Sequence, residues 1–257
     1  MTTPTQQALL PVEFEAPLVN PDTIGLYGAT TWAAPDTVPR WLASGVRVRP
    51  HNYDIENTGV WGADWCDPEP GEVKDGDRPE LPEPHEAVTV WAFDECDLTA
   101  PSQEEVRTRA LQNMRLREET AVEREFAGRL VLDTGTPASA ASLIEAVGKL
   151  EEALAATNTV GVIHASARWA AAAADAGLLT RTGTGFLTPL GHRWVFGGGY
   201  APVLGNELIA TSPTYGWRTA PELRETIDHL GNRFIAIAES SVVVGYEHAV
   251  SVVTVGP

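Results

Sequence analysis

SQEEVRTRALQNMRLREETAVEREFA, residues 102–127, is the stretch on which the fold turns. Ser102 with Glu105 three residues on is a capping-box start, and Gly128 is a stop, so the spacing predicts one helix over 102–127. At 1.5 Å per residue it would be about 39 Å long. Val106, Ala110, Met114, Ala121, Val122 and Phe126 supply only a narrow apolar stripe, broken near Arg117, and charges crowd the other faces. A helix so long and so thinly apolar packs on one layer and leaves much of itself exposed.

C-terminal to it the chain reads as a mixed α and β block. Leu143, Val147, Leu150 and Leu154 line one face of a second helix predicted over 138–156. TVGVIHA (159–165) reads as a short buried strand. Ser166 reads as the cap of a third helix, ARWAAAAADA (167–176), with Gly177 as its stop. Glycine-rich turns follow over 178–199, with a short strand at HRWVF (192–196) and another at NELIATSP (206–213). PELRETIDHL (221–230) predicts a short helix ended by Gly231, and strands over 232–238 and 242–255 follow. The run NRFIAIAESSVVVGYEHAVSVVTV (232–255) holds one carboxylate, Glu239, in apolar surroundings. Burying an ionised carboxylate costs several kcal/mol unless it is paired. Glu239 is therefore at an exposed edge or has a task.

N-terminal to the helix the chain cannot bury itself. Pro4, Pro11, Pro17, Pro21, Pro35 and Pro39 punctuate residues 1–45, which read as an extended arm. VRVRPHNYDI (46–55) and AVTVWAFDE (87–95) predict two strands around an acidic Pro- and Gly-rich loop, a projecting hairpin. A structureless loop of about 25 residues is unusual in a compact domain and marks a functional or partner-contacting element. Trp32, Trp41, Trp61, Trp65 and Trp91 all fall in the arm and hairpin. Such aromatics bury against their own chain or against other subunits.

Composition bounds the function. The 257 residues carry a net charge of -17, which argues against wrapping nucleic acid directly. The 43% hydrophobic content suits a globular core rather than disorder. Lys74 and Lys149 are the two lysines, the other basic residues being Arg, a codon effect of a GC-rich genome. Cys66 and Cys96 are too few for a closed thiolate zinc site and predict free thiols. The six histidines are scattered without metal-ligand spacing and read as structural. GTGFLTPLG (183–191) lacks the strand and helix of a phosphate-binding loop. The first residues show no signal-peptide pattern and no apolar run spans a bilayer, so no membrane association and synthesis in the cytoplasm are expected. No metal or cofactor is implied.

The order arm, hairpin, long helix, mixed block and terminal strands resembles the major capsid proteins of tailed bacteriophages, the Hong Kong 97 fold, an α+β class. REETAVEREFAGRL (117–130) looks like that family's acidic end of the spine helix. SLIEAVGKLEEALAATNTVGVIHASARWAAAA (142–173), LGHRWVFGGGY (190–200), GNELIATSP (205–213) and FIAIAESSVVVGYEHAVSVVTV (234–255) fall where the family has its axial elements and returning peripheral strands. The resemblance implies an N-terminal arm at 1–45 and an E-loop hairpin at 46–97. It implies a peripheral domain with the spine helix at 98–135 and 232–257, and an axial domain at 136–231. The implied function is a major capsid protein assembling as pentamers and hexamers into an icosahedral shell around phage DNA. That DNA is enclosed without sequence-specific binding. Scaffold, portal and decoration proteins would be partners, assembly would occur in the host cytoplasm, and no turnover enzyme activity is implied. An encapsulin-like cellular shell and a small soluble α/β enzyme are the rival readings.

Some members of that family crosslink their shells. A lysine on the hairpin of one subunit attacks an asparagine of a neighbour, with a buried glutamate assisting. The resemblance points to Lys74, Asn232 and Glu239 in these roles. An ammonium is not a nucleophile. Glu239 as base would take its proton, and Lys74 Nζ would attack the Asn232 amide carbon, releasing ammonia and leaving an isopeptide bond. Phe234, Ile235, Ile237 and Val242 would exclude water.

Overall fold

A computed structural model describes residues 14–21, 24–34, 42–53, 57–62, 66, 74–78, 80–183 and 185–256. The expectations for Pro4, Pro11, Pro35, Pro39, Trp41 and Trp65 lie outside the described residues. In chain order the elements are α1 (Leu26–Ala29), β1 (Thr31–Trp32), β2 (Val88–Cys96), α2 (Ala100–Asp133), β3 (Ala138–Ala140) and α3 (Leu143–Ala156). There follow β4 (Val162–Ser166), α4 (Trp169–Asp175), β5 (Thr180–Thr182), β6 (Gly185–Leu187), β7 (Arg193–Gly197) and α5 (Ala201–Leu204). The chain then runs through β8 (Glu207–Thr211), β9 (Thr214–Arg218), β10 (Glu222–Asp228), β11 (Arg233–Tyr246) and β12 (Ala249–Val255).

The strands form two sheets. In the first, β1, β9, β11 and β10 lie in that order and β2 also pairs with β11; in the second the order is β3-β12-β8-β4-β7-β6-β5. α2 buries Val106, Ala110, Met114, Val122, Phe126 and Leu130 against Phe234, Ala236, Ala238 and Val242 of β11. Val162, Val195 and Ile209 of the second sheet join the same core. Their alternates Ile163, Trp194, Phe196, Leu208 and Ala210 turn to the other face and pack with Leu150 and Leu154 of α3 and Ala173 of α4. Successive strand residues point to opposite faces, so β4, covered on both, is buried along its whole length.

The long helix is longer than expected. It spans 34 residues, about 51 Å. It starts after Thr99 rather than at a Ser102 capping box: Asp97 accepts the Thr99 N–H (2.8 Å) and hydroxyl (2.7 Å), and Pro101 occupies the first turn. Gly128 does not stop it. A mid-helix glycine costs about 1 kcal/mol relative to alanine. Against that, Leu130 is fully buried, worth about 2 kcal/mol. Arg129 also binds Asp133 (2.6 Å) and the carbonyls of Pro84 (2.8 Å) and Glu83 (3.1 Å).

Other expectations are corrected. The predicted 138–156 helix is a strand, β3, paired parallel to β12, followed by α3 from Leu143. Ser142 caps α3 by accepting the Glu145 N–H (3.2 Å), and the Glu145 carboxylate accepts the Ala141 N–H (2.8 Å). Ser166 is no helix cap; it ends β4 opposite Gly197, and α4 begins after Arg168. Residues 221–230 are not a helix: β10 pairs along β11 from Glu222↔Glu239 to Asp228↔Arg233. An open strand edge outweighs the helix-permissive composition of ELRETID. The two terminal strands expected at 232–238 and 242–255 divide differently, since β11 runs unbroken from Arg233 to Tyr246.

The hairpin is also different. Residues 46–53 form no strand, and one bridge, Val46↔His85, joins the two ends of the loop. β2 pairs with β11 instead. Pro50 has no N–H for a ladder, and Glu247 takes the N–H groups of His51 and of Asn52 (2.6 Å). β9 and β10 join the first sheet from within 136–231, and β12 joins the second from within 232–257.

Candidate functional site

The three residues of the implied crosslink lie on one sheet, its end turn and the projecting loop. Along β11, Phe234, Ala236, Ala238 and Ser240 are buried toward α2, and Ile235, Ile237, Glu239 and Ser241 are half-buried on the outer face. Glu239 belongs to the outer set by strand alternation alone. It lies between Glu222 of β10 and Trp91 of β2. Arg224 Nη2 binds Glu239 Oε1 at 2.7 Å and Glu222 Oε2 at 3.3 Å. The apolar run thus tolerates its carboxylate because the side chain is partly exposed and paired with a guanidinium.

Around Glu239 the outer face is apolar at its centre. Trp91 (66% exposed) and Phe93 (43%) stand opposite Glu239 and Ile237, with Ile235 next along β11. The far end closes with the Arg233–Glu95 ion pair. On the inner face Arg107 grips Glu225 through two bonds (2.7 and 3.0 Å) and lies 4.8 Å over the Phe234 ring. That guanidinium holds the Glu225 carboxyl below its ordinary range.

Asn232 occupies the turn between β10 and β11. Asp228 accepts the N–H groups of Leu230 (3.0 Å) and Gly231 (3.1 Å), and Asn232 takes a left-handed φ of 50°, which asparagine tolerates. The residue is exposed. Seven residues of strand separate it from Glu239, about 23 Å. One chain therefore does not bring the two together.

Lys74 is exposed in the loop, its Nζ 4.5 Å from the centroid of the Trp61 ring. The loop is braced internally by Asn57 Nδ2, which donates to the Asp77 carbonyl (2.7 Å). Its base is pinned to the β11–β12 turn. Partial burial would raise the Glu247 carboxyl, but bonds from His51 and Asn52 outweigh it and hold the group below its ordinary range. Tyr53 stacks on His248 at 5.4 Å. Cys66 and Cys96 are both exposed free thiols.

Arg224 is the site residue that sequence reading missed, because it fell inside the predicted 221–230 helix. The signal that could have found it is period-2 spacing: Glu222, Arg224 and Thr226 sit on one face of a strand.

No protein-family model and no curated protein sequence matches the chain. Solved structures do resemble it. One is the capsid of an empty GTA particle computed with C5 symmetry, 13% identical, with a TM-score of 0.52 over 99% of this chain and 94% of that one. A structure from Mycobacterium phage Bobi is 13% identical, with a TM-score of 0.51 over 98% and 95%. The holo-SrpI encapsulin complex from Synechococcus elongatus PCC 7942 is 13% identical, with a TM-score of 0.47 over 88% and 90%. At 13% identity the two likenesses with TM-scores above 0.5 speak of fold alone: the chain has the α+β, Hong Kong 97-type fold.

Proposed function

We propose that the chain is a shell subunit whose copies associate as pentamers and hexamers into the icosahedral head of a tailed phage, enclosing its DNA. The observation that carries this reading is uncovered apolar surface on the extended parts of a chain with this fold. Phe14 (84% exposed), Leu18 and Val19 on the arm, and Val60 (100%) and Trp61 on the loop, are exposed in the single chain. Large apolar groups on segments with no core of their own are contacts for neighbours. Negative-stain microscopy of the purified protein is expected to show closed icosahedral shells or capsomers. A dispersed monomer would overturn the proposal in favour of a small soluble enzyme. Shells filled with a protein cargo rather than DNA would mark a cellular compartment instead.

Crosslinking of Lys74 to Asn232 with Glu239 as base is proposed on narrower terms. The exposure of Lys74 and Asn232 supports it, and the 2.7 Å Arg224–Glu239 pair sets a requirement. Because Asn232 and Glu239 are about 23 Å apart along one strand, the centre would take them from different copies, and Glu239 would have to leave Arg224 to act as a base. Mature particles boiled and run on a denaturing gel are expected to show ladders that Lys74→Arg, Asn232→Ala or Glu239→Ala each collapse to one band. A single band from the wild type ends the crosslinking proposal and leaves the shell standing.

A further inference from the structure

The charged residues of α2 that flank its apolar stripe are not simply a solvated face. Gln112, Arg115, Glu119 and Glu123 follow one another at helical spacing along one side. Gln112 Nε2 donates to the Val19 carbonyl (2.7 Å) and Arg115 Nη2 to Asn20 Oδ1 (2.5 Å). Glu119 Oε1 accepts the Tyr27 N–H (2.7 Å), and Glu123 Oε1 accepts the Leu26 N–H (3.0 Å). The arm is thus held to α2 by four polar side chains. The two carboxylates serve the first N–H groups of α1, whose N-cap, Gly25, makes no side-chain bond.

Glu123 does more than hold the arm. It is 2% exposed, and its second oxygen, Oε2, accepts the Gly199 N–H at 2.8 Å. Gly198 and Gly199 form the turn that leaves β7 of the second sheet, just before Tyr200. Two glycines make the convergence possible. A Cβ on Gly25 would lie 2.5 Å from both Glu119 Oε1 and Glu123 Oε1. A Cβ on Gly199 would fall on the Thr120 carbonyl and lie 2.8 Å from Glu123 Cβ.

We infer that Glu123 is a linchpin coupling the seating of the arm on α2 to the seating of the 197–200 turn. One buried carboxylate is satisfied only when both backbone segments donate to it. Withdrawing either donor leaves a buried acceptor underserved, and the carboxylate can regain a donor only by turning toward water, which takes it away from the remaining segment. Coupling of this kind is reciprocal: whatever the turn gains from a seated arm, the arm gains from a seated turn. The inference concerns the single chain, and its failure would leave the shell reading untouched.

Amide hydrogen exchange on the full chain, read by mass spectrometry in peptides covering residues 24–32 and 197–204, tests it. Gly25→Ala drives a methyl into the carboxylates from the arm side, and Gly199→Ala displaces the turn from the other. Each is expected to speed exchange about tenfold in both segments. Faster exchange confined to the substituted segment, or in neither, overturns the coupling. Where a glycine variant does not fold, Glu123→Gln decides. It keeps the size of the side chain and replaces one acceptor oxygen by a donor. Loosening of both segments together supports the linchpin, and loosening of one or of neither overturns it.

Discussion

Trp194→Ala is expected to cost about 3–5 kcal/mol of folding stability, the range for removing a fully buried large aromatic. Trp194 is 1% exposed in the middle of the second sheet. Its ring stacks on Phe196 at 4.9 Å and 15°, and its Nε1–H donates to the Leu178 carbonyl at 3.0 Å, tying the end of α4 to β7. Alanine removes the apolar area, opens a cavity and leaves the Leu178 carbonyl without its donor. Trp194→Phe keeps much of the area and loses the hydrogen bond, so about 1 kcal/mol is added to the volume change alone. Denaturant unfolding of the unassembled chain measures both. A cost under about 1 kcal/mol for the alanine variant, well below the core range, would show that the ring is not part of the core.

Acid is expected to destabilise the protein through His164. Tyr200 and Thr211 flank its imidazole at 3.0 and 2.9 Å, and the Thr211 hydroxyl donates to the Ser212 carbonyl (2.8 Å). Thr211 Oγ1 therefore accepts from His164 Nε2–H, and Nδ1 accepts from the Tyr200 hydroxyl. This chain of bonds fits the neutral ring. Burial pushes the imidazole down to about 3. The depressed value sets the sign: the contribution is whole above the unfolded value near 6.5 and is lost as pH falls toward 3. Within that window each pH unit removes up to about 1.4 kcal/mol, so about 2 kcal/mol goes between pH 6.5 and 5. Unfolding midpoints should drop over this range in the wild type and drop less in His164→Gln, which has no group to titrate. Equal slopes for the two proteins would remove His164 as the cause.

Local patterns were legible where burial and spacing agreed. Leu143, Val147, Leu150 and Leu154 marked α3, and TVGVIHA and HRWVF marked β4 and β7, because alternate apolar residues there meet a packed face on each side. The order of elements carried the fold. What stayed hidden depended on partners distant in sequence. ELRETID read as a helix because nothing local reveals that β11 has a free edge for it, and that misreading concealed Arg224 and left Glu239 looking unpaired. Gln112, Arg115, Glu119 and Glu123 read as a solvated face because their partners lie about ninety residues upstream, in a proline-punctuated segment with no periodicity of its own. Gly128 read as a stop because the burial of Leu130 and the grip of Arg129 on the loop base could not be weighed from the chain alone.

The placement of β11 and β12 bears on timing during synthesis. β11 is the spine of the first sheet, paired with β2, β9 and β10, and β12 links β3 to β8 in the second. Before residues 233–255 have left the ribosome, α2 has no complete surface to settle on, and β3 has no neighbour. Pairings between strands so far apart in the chain form slowly, because a large loop must close first. Until then neither sheet is finished. Both sheets thus close only once residues 233–255 are free to pair with strands made long before them.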